Sequence, residues 1–187
     1  MADPNPRYET VSSESENLIL VDEHDQEIGS ISKAEAHDGH GTLHRAFSIF
    51  LFNSKGEVLL QKRSAEKRLW GGYWSNTCCS HPRVGETLDV ATQRRLQDEL
   101  GITAELEHVY HFIYQADFDE TGAEHELCHV YVGRTDEDPQ PNAAEIEDWR
   151  WIAPDDLTAE MKANRQAFTP WFKLEWKRLE DEGFVVP

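Results

Sequence analysis

Ser80 to Ile102 reads SHPRVGETLDVATQRRLQDELGI, and the parsing of this stretch decides the fold. Leu88, Ala91, Leu96 and Leu100 recur at near-helical spacing, which predicts an amphipathic helix from Glu86 to Leu100. Gly101 follows where a left-handed residue commonly ends a helix. Arg94, Arg95, Asp98 and Glu99 then fall among the polar positions. Such a face is most simply a solvated one. It can also present guanidinium and carboxylate groups to a phosphate and its metal ion.

Upstream lies a long irregular segment, Arg63 to Val84, of the kind that carries function on a rigid scaffold. It contains Trp70, Gly71, Gly72 and the run WSNTCCSHP from Trp74 to Pro82, with Cys79 and His81 in C-x-H spacing. Before it, Leu43 to Phe52 is strongly apolar and β-prone, Asn53-Ser54-Lys55-Gly56 reads as a turn, and Val58 to Gln61 returns, which predicts a central hairpin. Leu18 to Val21 and Ile28 to Ile31 predict another hairpin around Asp22 to Asp25. Ser32-Lys33-Ala34-Glu35 matches a capping box and predicts a short helix that carries His37 out into a loop. Downstream, strands are expected at Val109 to Ala116, Glu124 to Val132 and Trp149 to Ile152. Thr169-Pro170 predicts a last helix from Trp171 to about Asp181, with Thr169 as its cap.

The 187 residues suit one domain with a genuine core. We assign residues 1–16, polar and rich in Ser and Glu, to a flexible acidic arm, and residues 17–187 to the domain. No apolar run approaches the length of a bilayer span, and the first residues lack the pattern of an export signal. Cys78, Cys79 and Cys128 leave one cysteine over in any pairing, and adjacent Cys78 and Cys79 would bridge only through a strained ring. Reduced thiols and a cytoplasmic setting are expected. Against 18 Lys+Arg stand 36 Asp+Glu, a net charge of −18 that repels nucleic acid and anionic membranes. The excess is spread along the whole chain and reads as a halophilic surface, with an ordinary acidic surface as the alternative.

Three groups of residues carry chemistry. His37, His44 and His81 with Glu124 and Glu126 offer nitrogen and oxygen ligands to Mn²⁺, Zn²⁺ or Mg²⁺, leaving one open octahedral position. Period-two geometry sets Glu124, Glu126, Cys128 and Val130 on one face of their strand. Lys33, Arg63 and Lys67 flank the same loops, and their natural partner is a diphosphate, whose oxygens a Mg²⁺ ion on Glu99 would bridge. Taken singly, each histidine is ordinarily a surface or hydrogen-bonded residue and each cation a solvated salt-bridge partner. His40, His108, His111, His125 and His129 keep that reading.

Ser80 to Ile102 aligns with the Nudix pattern G-x5-E-x7-R-E-U-x-E-E-x-G-U at Glu86, Arg94, Leu96, Glu99, Gly101 and Ile102. Ser80 stands for the opening Gly, Arg95 for the Glu after the Arg, and Asp98 for the penultimate Glu. A cation at Arg95 weakens a metal cluster on that helix and favours a phosphate oxygen, which argues against hydrolysis. The ordered set Lys33, His37, Leu43-His44, KRSAEKRLWGGYWSNTCCSHP (62–82), RRLQDELG (94–101), Tyr114, EHELC (124–128) and TPWF (169–172) resembles the type 1 isopentenyl-diphosphate isomerases, a non-hydrolytic family within the Nudix superfamily. The likeness runs from about Leu18 to Trp171. It implies an α/β fold, a Nudix-like mixed β-sheet sandwich flanked by helices, and interconversion of isopentenyl and dimethylallyl diphosphate.

By that resemblance Cys79 and Glu126 are the catalytic pair, assisted by Tyr114. His37, His44, His81, Glu124 and Glu126 ligate one divalent ion, Mn²⁺ or Zn²⁺, and Glu99 binds the Mg²⁺ that accompanies the diphosphate. Lys33, Arg63, Lys67 and Arg95 contact the diphosphate, and Trp171 covers the hydrocarbon; independently of the resemblance, Trp74 offers a second π face to a cationic intermediate. Glu126 with Tyr114 is expected to serve the methylene proton and Cys79 the proton at C2, with labels exchanged in the reverse direction. The ligand is a small-molecule diphosphate, with neither nucleic acid nor membrane as partner, and the chain is expected to work as a monomer. Ser80 departs from the family's usual Gly, and Cys78 adds a second thiol. Two other readings stay open: a Nudix pyrophosphohydrolase, and a binding module folded around zinc.

Overall fold

In the computed structural model, which describes residues 7–185, the apolar run after Leu43 becomes the strand on which everything else is arranged. The elements in chain order are β1 (Asn17–Val21), β2 (Glu27–Ser32), α1 (Lys33–Ala36), β3 (His44–Phe52), β4 (Val58–Arg63), β5 (Trp74–Ser75), β6 (Cys78–Ser80), α2 (Leu88–Leu100), β7 (Leu106–Asp119), β8 (Gly122–Arg134), β9 (Ile146–Ile152), α3 (Pro154–Ala163) and α4 (Pro170–Asp181). The first six residues of the expected arm lie outside the described residues. Residues 7–16 run along the domain, with Arg7 donating to Gln97 O, Glu9 N–H to Asn142 Oδ1, and Arg95 to Val11 O.

One edge of β3 is taken by β8, parallel and in register from His44↔Glu126 to Phe52↔Arg134. The other edge is shared in succession by β1 at His44, β6 at Phe47 to Ile49, and β4 at Phe52. The expected central hairpin is therefore closed only at Phe52↔Val58, because β6 and β1 occupy the rest of that edge. β4 instead pairs along its length with β9 and, at its end, with β5. β7 and β8 form the long antiparallel hairpin, fourteen and thirteen residues, that completes the mixed sheet.

Both faces of β3 are covered, which explains its near-continuous apolar sequence. Ala46, Phe50 and Phe52 pack toward Phe172, Trp176 and Leu179 of α4 and Leu157 of α3. Phe47, Ile49 and Leu51 pack toward Ala91, Leu96 and Leu100 of α2. The expected α/β sandwich is the observed one. Strand alternation carries into β6, where Cys78 lies in the α2 layer while Cys79 sides with the α4 layer.

Helix ends follow their chemistry with three departures. α2 begins at Leu88 because the Thr87 side chain accepts the Val90 N–H, and it ends at Gly101, φ 67°, as expected. At α1, Ser32 Oγ accepts the Glu35 N–H, but Glu35 answers the Ser32 hydroxyl at 2.5 Å in place of its backbone. Thr169 precedes α4 without capping it, since its hydroxyl pairs with Ser75 Oγ at 3.0 Å. α3 was not expected from the sequence, although Pro154 with Asp155 and Asp156 in its first turn is a legible start signal.

Candidate active site

Strand register brings the functional side chains together. His44 on β3 and Tyr114 on β7 both lie opposite Glu126 on β8, so the three stand abreast across adjacent strands. Four residues along β3, Ser48 pairs with Cys79 on β6, and His81 follows directly after that strand. His37 ends α1, and its carbonyl accepts the Ala123 N–H at the start of β8. Gly122 permits this approach: a Cβ there would lie 2.2 Å from His37 O. All the predicted site residues except His44, Glu99 and Trp74 line one cleft. His44 is buried just behind it and Glu99 behind Arg95.

One end of the cleft is a metal-ligand cluster, with donor atoms of His37, His44, His81, Glu124 and Glu126 all within 4.8 Å of one another. His37 Nδ1 lies 2.8 Å from Lys33 O and His44 Nδ1 2.7 Å from Thr42 O. A carbonyl only accepts, so each Nδ1 carries the hydrogen and each Nε2 turns a lone pair inward. His44 Nε2 is buried without a hydrogen-bond partner. His37 Nε2 faces Glu124 Oε2 at 2.9 Å, an acceptor against an acceptor unless a proton or a cation lies between them. Burial opposes charging His37, yet the neighbouring Glu124 and Glu126 raise its proton affinity on balance. His81, 3.0 Å from Glu126, is held neutral chiefly by burial. Three inward nitrogens and two carboxylates with an orphaned buried donor atom fit a first-row divalent ion.

Glu126 also accepts the Tyr114 hydroxyl at 2.6 Å. Burial pushes the Glu126 carboxyl up, but contact with His44, together with Tyr114, offsets this and holds it below the usual carboxylate range. Burial, followed by the Glu126 charge, keeps Tyr114 protonated. Cys79 carries the opposite bias: burial pushes its thiol up to about 12, although Arg63, 3.8 Å from Sγ, pulls it down. The cleft thus holds a carboxylate with a phenol on it and a protonated thiol. Cys78 points into the α2 core, so of the two adjacent thiols it is Cys79 that lines the cleft.

The other end is basic. Arg95 is buried there, with Lys33, Lys67 and Arg63 half-buried beside it. Burial first, then the nearby cations, lowers the Lys67 ammonium to about 7 despite Glu99. Three of the cations have a carboxylate beside them: Lys67 pairs with Glu145, Arg95 with Glu99 at 3.1 Å, and Lys33 with Glu14 at 3.8 Å, while Arg63 donates to the carbonyls of Leu69 and Trp70. Lys33 also donates to Ser12, and Ser12 and Glu14 line the cleft from the acidic segment. Glu99 has both oxygens engaged, one by Arg95 and one by Gln61 at 3.2 Å.

Between the two ends the wall is aromatic. Trp171 packs edge-on against Trp70 at 5.4 Å and near Tyr114 at 6.2 Å, with its indole N–H on Asn76. Trp74 does not join this wall: Arg150 sits on its ring at 4.3 Å, so the expectation of a second π face there is corrected. Sequence reading missed Glu145 and Arg68, single charges in loops, and Glu175 on α4, a carboxyl behind the cleft that touches Cys128 at 3.5 Å. Nothing in a lone acidic residue among 36 marks it out.

A NUDIX domain model matches residues 42–172. Isopentenyl-diphosphate Delta-isomerase 1 of Photorhabdus laumondii is 46% identical over 171 residues, covering 90% of this chain and 97% of that protein. The isopentenyl-diphosphate Delta-isomerase of Serratia proteamaculans is 49% identical over 164 residues, covering 88% of this chain and 91% of its own. Among solved structures, protein DR0079 of Deinococcus radiodurans superposes with a TM-score of 0.71 at 26% identity, over 87% of this chain and 98% of that one.

Proposed function

From a chain that belongs to the NUDIX domain family and, within it, to the isopentenyl-diphosphate Delta-isomerases, we propose that Cys79 and Glu126 pass protons to and from the two ends of one alkene. The reaction is the interconversion of isopentenyl and dimethylallyl diphosphate in isoprenoid biosynthesis. One observation carries the residue assignment: a thiol and a carboxylate of opposite protonation bias share a cleft that is also lined by four cations, Lys33, Arg63, Lys67 and Arg95.

In this reading Lys33, Arg63, Lys67 and Arg95 hold the diphosphate, and Glu99 would take an accompanying Mg²⁺ in exchange for its contacts with Arg95 and Gln61. The hydrocarbon then lies along Trp171 and Tyr114. An unactivated alkene is a weak base, and its protonation creates a tertiary carbocation. The Trp171 face attracts that charge by about 0.5–2 kcal/mol. Water is kept from the cation by the buried aromatic wall. His37, His44, His81, Glu124 and Glu126 would hold the second divalent ion, Mn²⁺ or Zn²⁺, which when bound supplies a fixed positive charge beside Glu126.

The proton inventory has a direction. A protonated Cys79 with an ionised Glu126 is loaded for dimethylallyl diphosphate: the thiol donates to C2 and the carboxylate takes a methyl proton. That cycle leaves a thiolate, stabilised by Arg63, and a protonated Glu126–Tyr114 pair. This is the state that isopentenyl diphosphate requires, with the methylene protonated from the carboxyl side and C2 deprotonated by sulfur. The two states hold the same number of protons and differ only in which group carries one, so each turnover prepares the opposite direction unless solvent resets it.

The pyrophosphohydrolase reading is disfavoured because Arg95 is bound to Glu99 on the helix where that chemistry gathers carboxylates. The zinc-folded module is disfavoured because the ligand set has no cysteine. We further read the setting as cytoplasmic and the acidic surface as fitted to high salt, supported by three unpaired thiols and a net charge of −18. The test of the core reading is isotopic. In heavy water, with Mg²⁺ present, NMR should find deuterium entering C2 and the methyl or methylene carbon of the C5 diphosphates. Interconversion without exchange at these carbons would refute the proton relay, and release of inorganic phosphate would restore the hydrolase.

A further inference from the structure

The alternation that puts Glu126 and Cys128 on one face of β8 turns His129 to the opposite face. There His129 lies across the register from His111 of β7, and a bulge between His108 and Tyr110 brings His108 to the same side. The three imidazoles offer one donor atom each within 4.8 Å. His129 Nδ1 and His108 Nε2 are 3.0 Å apart. The ring of His111 stands 5.2 Å from that of His129.

What separates this cluster from three surface histidines is the support behind it. His129 Nε2 lies 2.9 Å from Asp25 Oδ2, and Asp25 is held in turn by Arg45, whose Nε donates to Oδ1 at 2.7 Å and whose Nη2 donates to the Asp25 carbonyl at 2.8 Å. Asp25 sits at φ 61° in the turn between β1 and β2, a turn tied by Asp22 Oδ1 to the N–H groups of His24 and Gln26. A carboxylate on one ring nitrogen fixes the hydrogen there and leaves the other nitrogen as a lone pair, the arrangement that backs metal-bound histidines. Ligand nitrogens about 2.05 Å from a tetrahedral ion stand about 3.3 Å apart, close to the His108–His129 spacing.

We propose that His108, His111 and His129, with Asp25 behind His129, form a further metal site, outside the cleft, for a late first-row divalent ion such as Zn²⁺, Cu²⁺ or Ni²⁺. An all-imidazole ligand set selects these ions over Mg²⁺ and Ca²⁺, which take oxygen ligands. Three protein ligands leave the fourth tetrahedral position to water. His108 and His111 are exposed, so ions reach the site from solvent without passing the cleft. The bound ion ties β7 to β8 and, through Asp25, to the β1–β2 turn, so it acts on stability and not on turnover.

The experiment titrates the metal-stripped full-length protein with Co²⁺ in the absence of diphosphate, reading stoichiometry and visible d–d absorption. The wild type should bind two equivalents. His108→Ala/His111→Ala should bind one and, with that equivalent and Mg²⁺ present, should interconvert the C5 diphosphates at the wild-type rate. That turnover also certifies the variant's fold. Asp25→Asn should retain two equivalents but weaken one of them by roughly 10- to 100-fold. Zn²⁺ should raise the midpoint of thermal unfolding further in the wild type than in the double variant. A single equivalent in the wild type, or two equivalents with an unchanged spectrum in the double variant, would overturn the site.

Discussion

The Tyr114 hydroxyl donates to Glu126 Oε2 at 2.6 Å across a directly opposed residue pair of β7 and β8. Because both side chains come from one long hairpin, backbone register sets them side by side on the cleft face, and the hydrogen bond asks only for their rotamers. Tyr114 and the ligand cluster meet at the same carboxylate, so the carboxylate's basicity answers to both.

Tyr114→Phe removes a hydrogen bond to an ionised group while keeping the ring against Trp171. Such a bond is worth about 1.5–3 kcal/mol, or roughly 10- to 150-fold in rate if it matters only in the transition state. The expected outcome in steady-state kinetics is a kcat lowered within that range at nearly unchanged KM. A rise in KM alone would instead assign Tyr114 to substrate binding.

Adjacent cysteines provide an internal control. Cys79→Ser should lower turnover by about 100- to 10,000-fold, the span of a lost acid–base group. Cys78→Ser should keep turnover. It places a hydroxyl in the apolar α2 layer, which costs on the order of 1–3 kcal/mol and should show as a lower unfolding midpoint. Activity loss in the Cys78 variant with little change in the Cys79 variant would reverse the assignment.

Much of this site could be read before the fold was known, and the limits of that reading are physical. Period-two alternation was enough to put Glu124, Glu126 and Cys128 on one face, and the helix from Leu88 to Gly101 was legible from its spacing and its glycine. Alternation is a local property. The parallel register His44↔Glu126 joins residues far apart in the chain, and the separate motifs meet only through it. The central hairpin misled for the same reason: local turn chemistry at Asn53 to Gly56 is real, but long-range pairing with β8 and β6 claimed the edges of β3. Trp74 looked like a cation-facing ring, and it is one, but the cation is Arg150. The carboxylates Glu145 and Glu175 carry no sequence signal because their character comes from burial.

Acidity over the whole surface makes a prediction of its own. With 36 acidic against 18 basic side chains, like-charge repulsion is the dominant long-range term and is screened within a few ångströms at molar salt. The unfolding midpoint should therefore climb as KCl is raised from about 0.1 M to about 2 M. Greatest stability in dilute buffer would remove the high-salt reading while leaving the catalytic one untouched.

Glu175 should give the fold a pH signature separate from catalysis. It is fully buried against Cys128 and Ser48, one carboxylate oxygen has no partner, and burial pushes its carboxyl up to about 8. Below about pH 4.5 folded and unfolded chains both hold this proton, so it has no effect on stability. Between there and about 8 the unfolded chain releases the proton and the folded chain keeps it. Stability then falls by about 1.4 kcal/mol per pH unit from this group, and the loss is complete above about pH 8. Glu175→Gln is neutral throughout and removes that slope. Denaturant unfolding from pH 5 to 9 should find the variant gaining on the wild type up to about pH 8, by at least about 2 kcal/mol, and level thereafter. Parallel curves would mean that Glu175 is ionised within the fold, and its place behind the cleft would then call for a buried cation beside it.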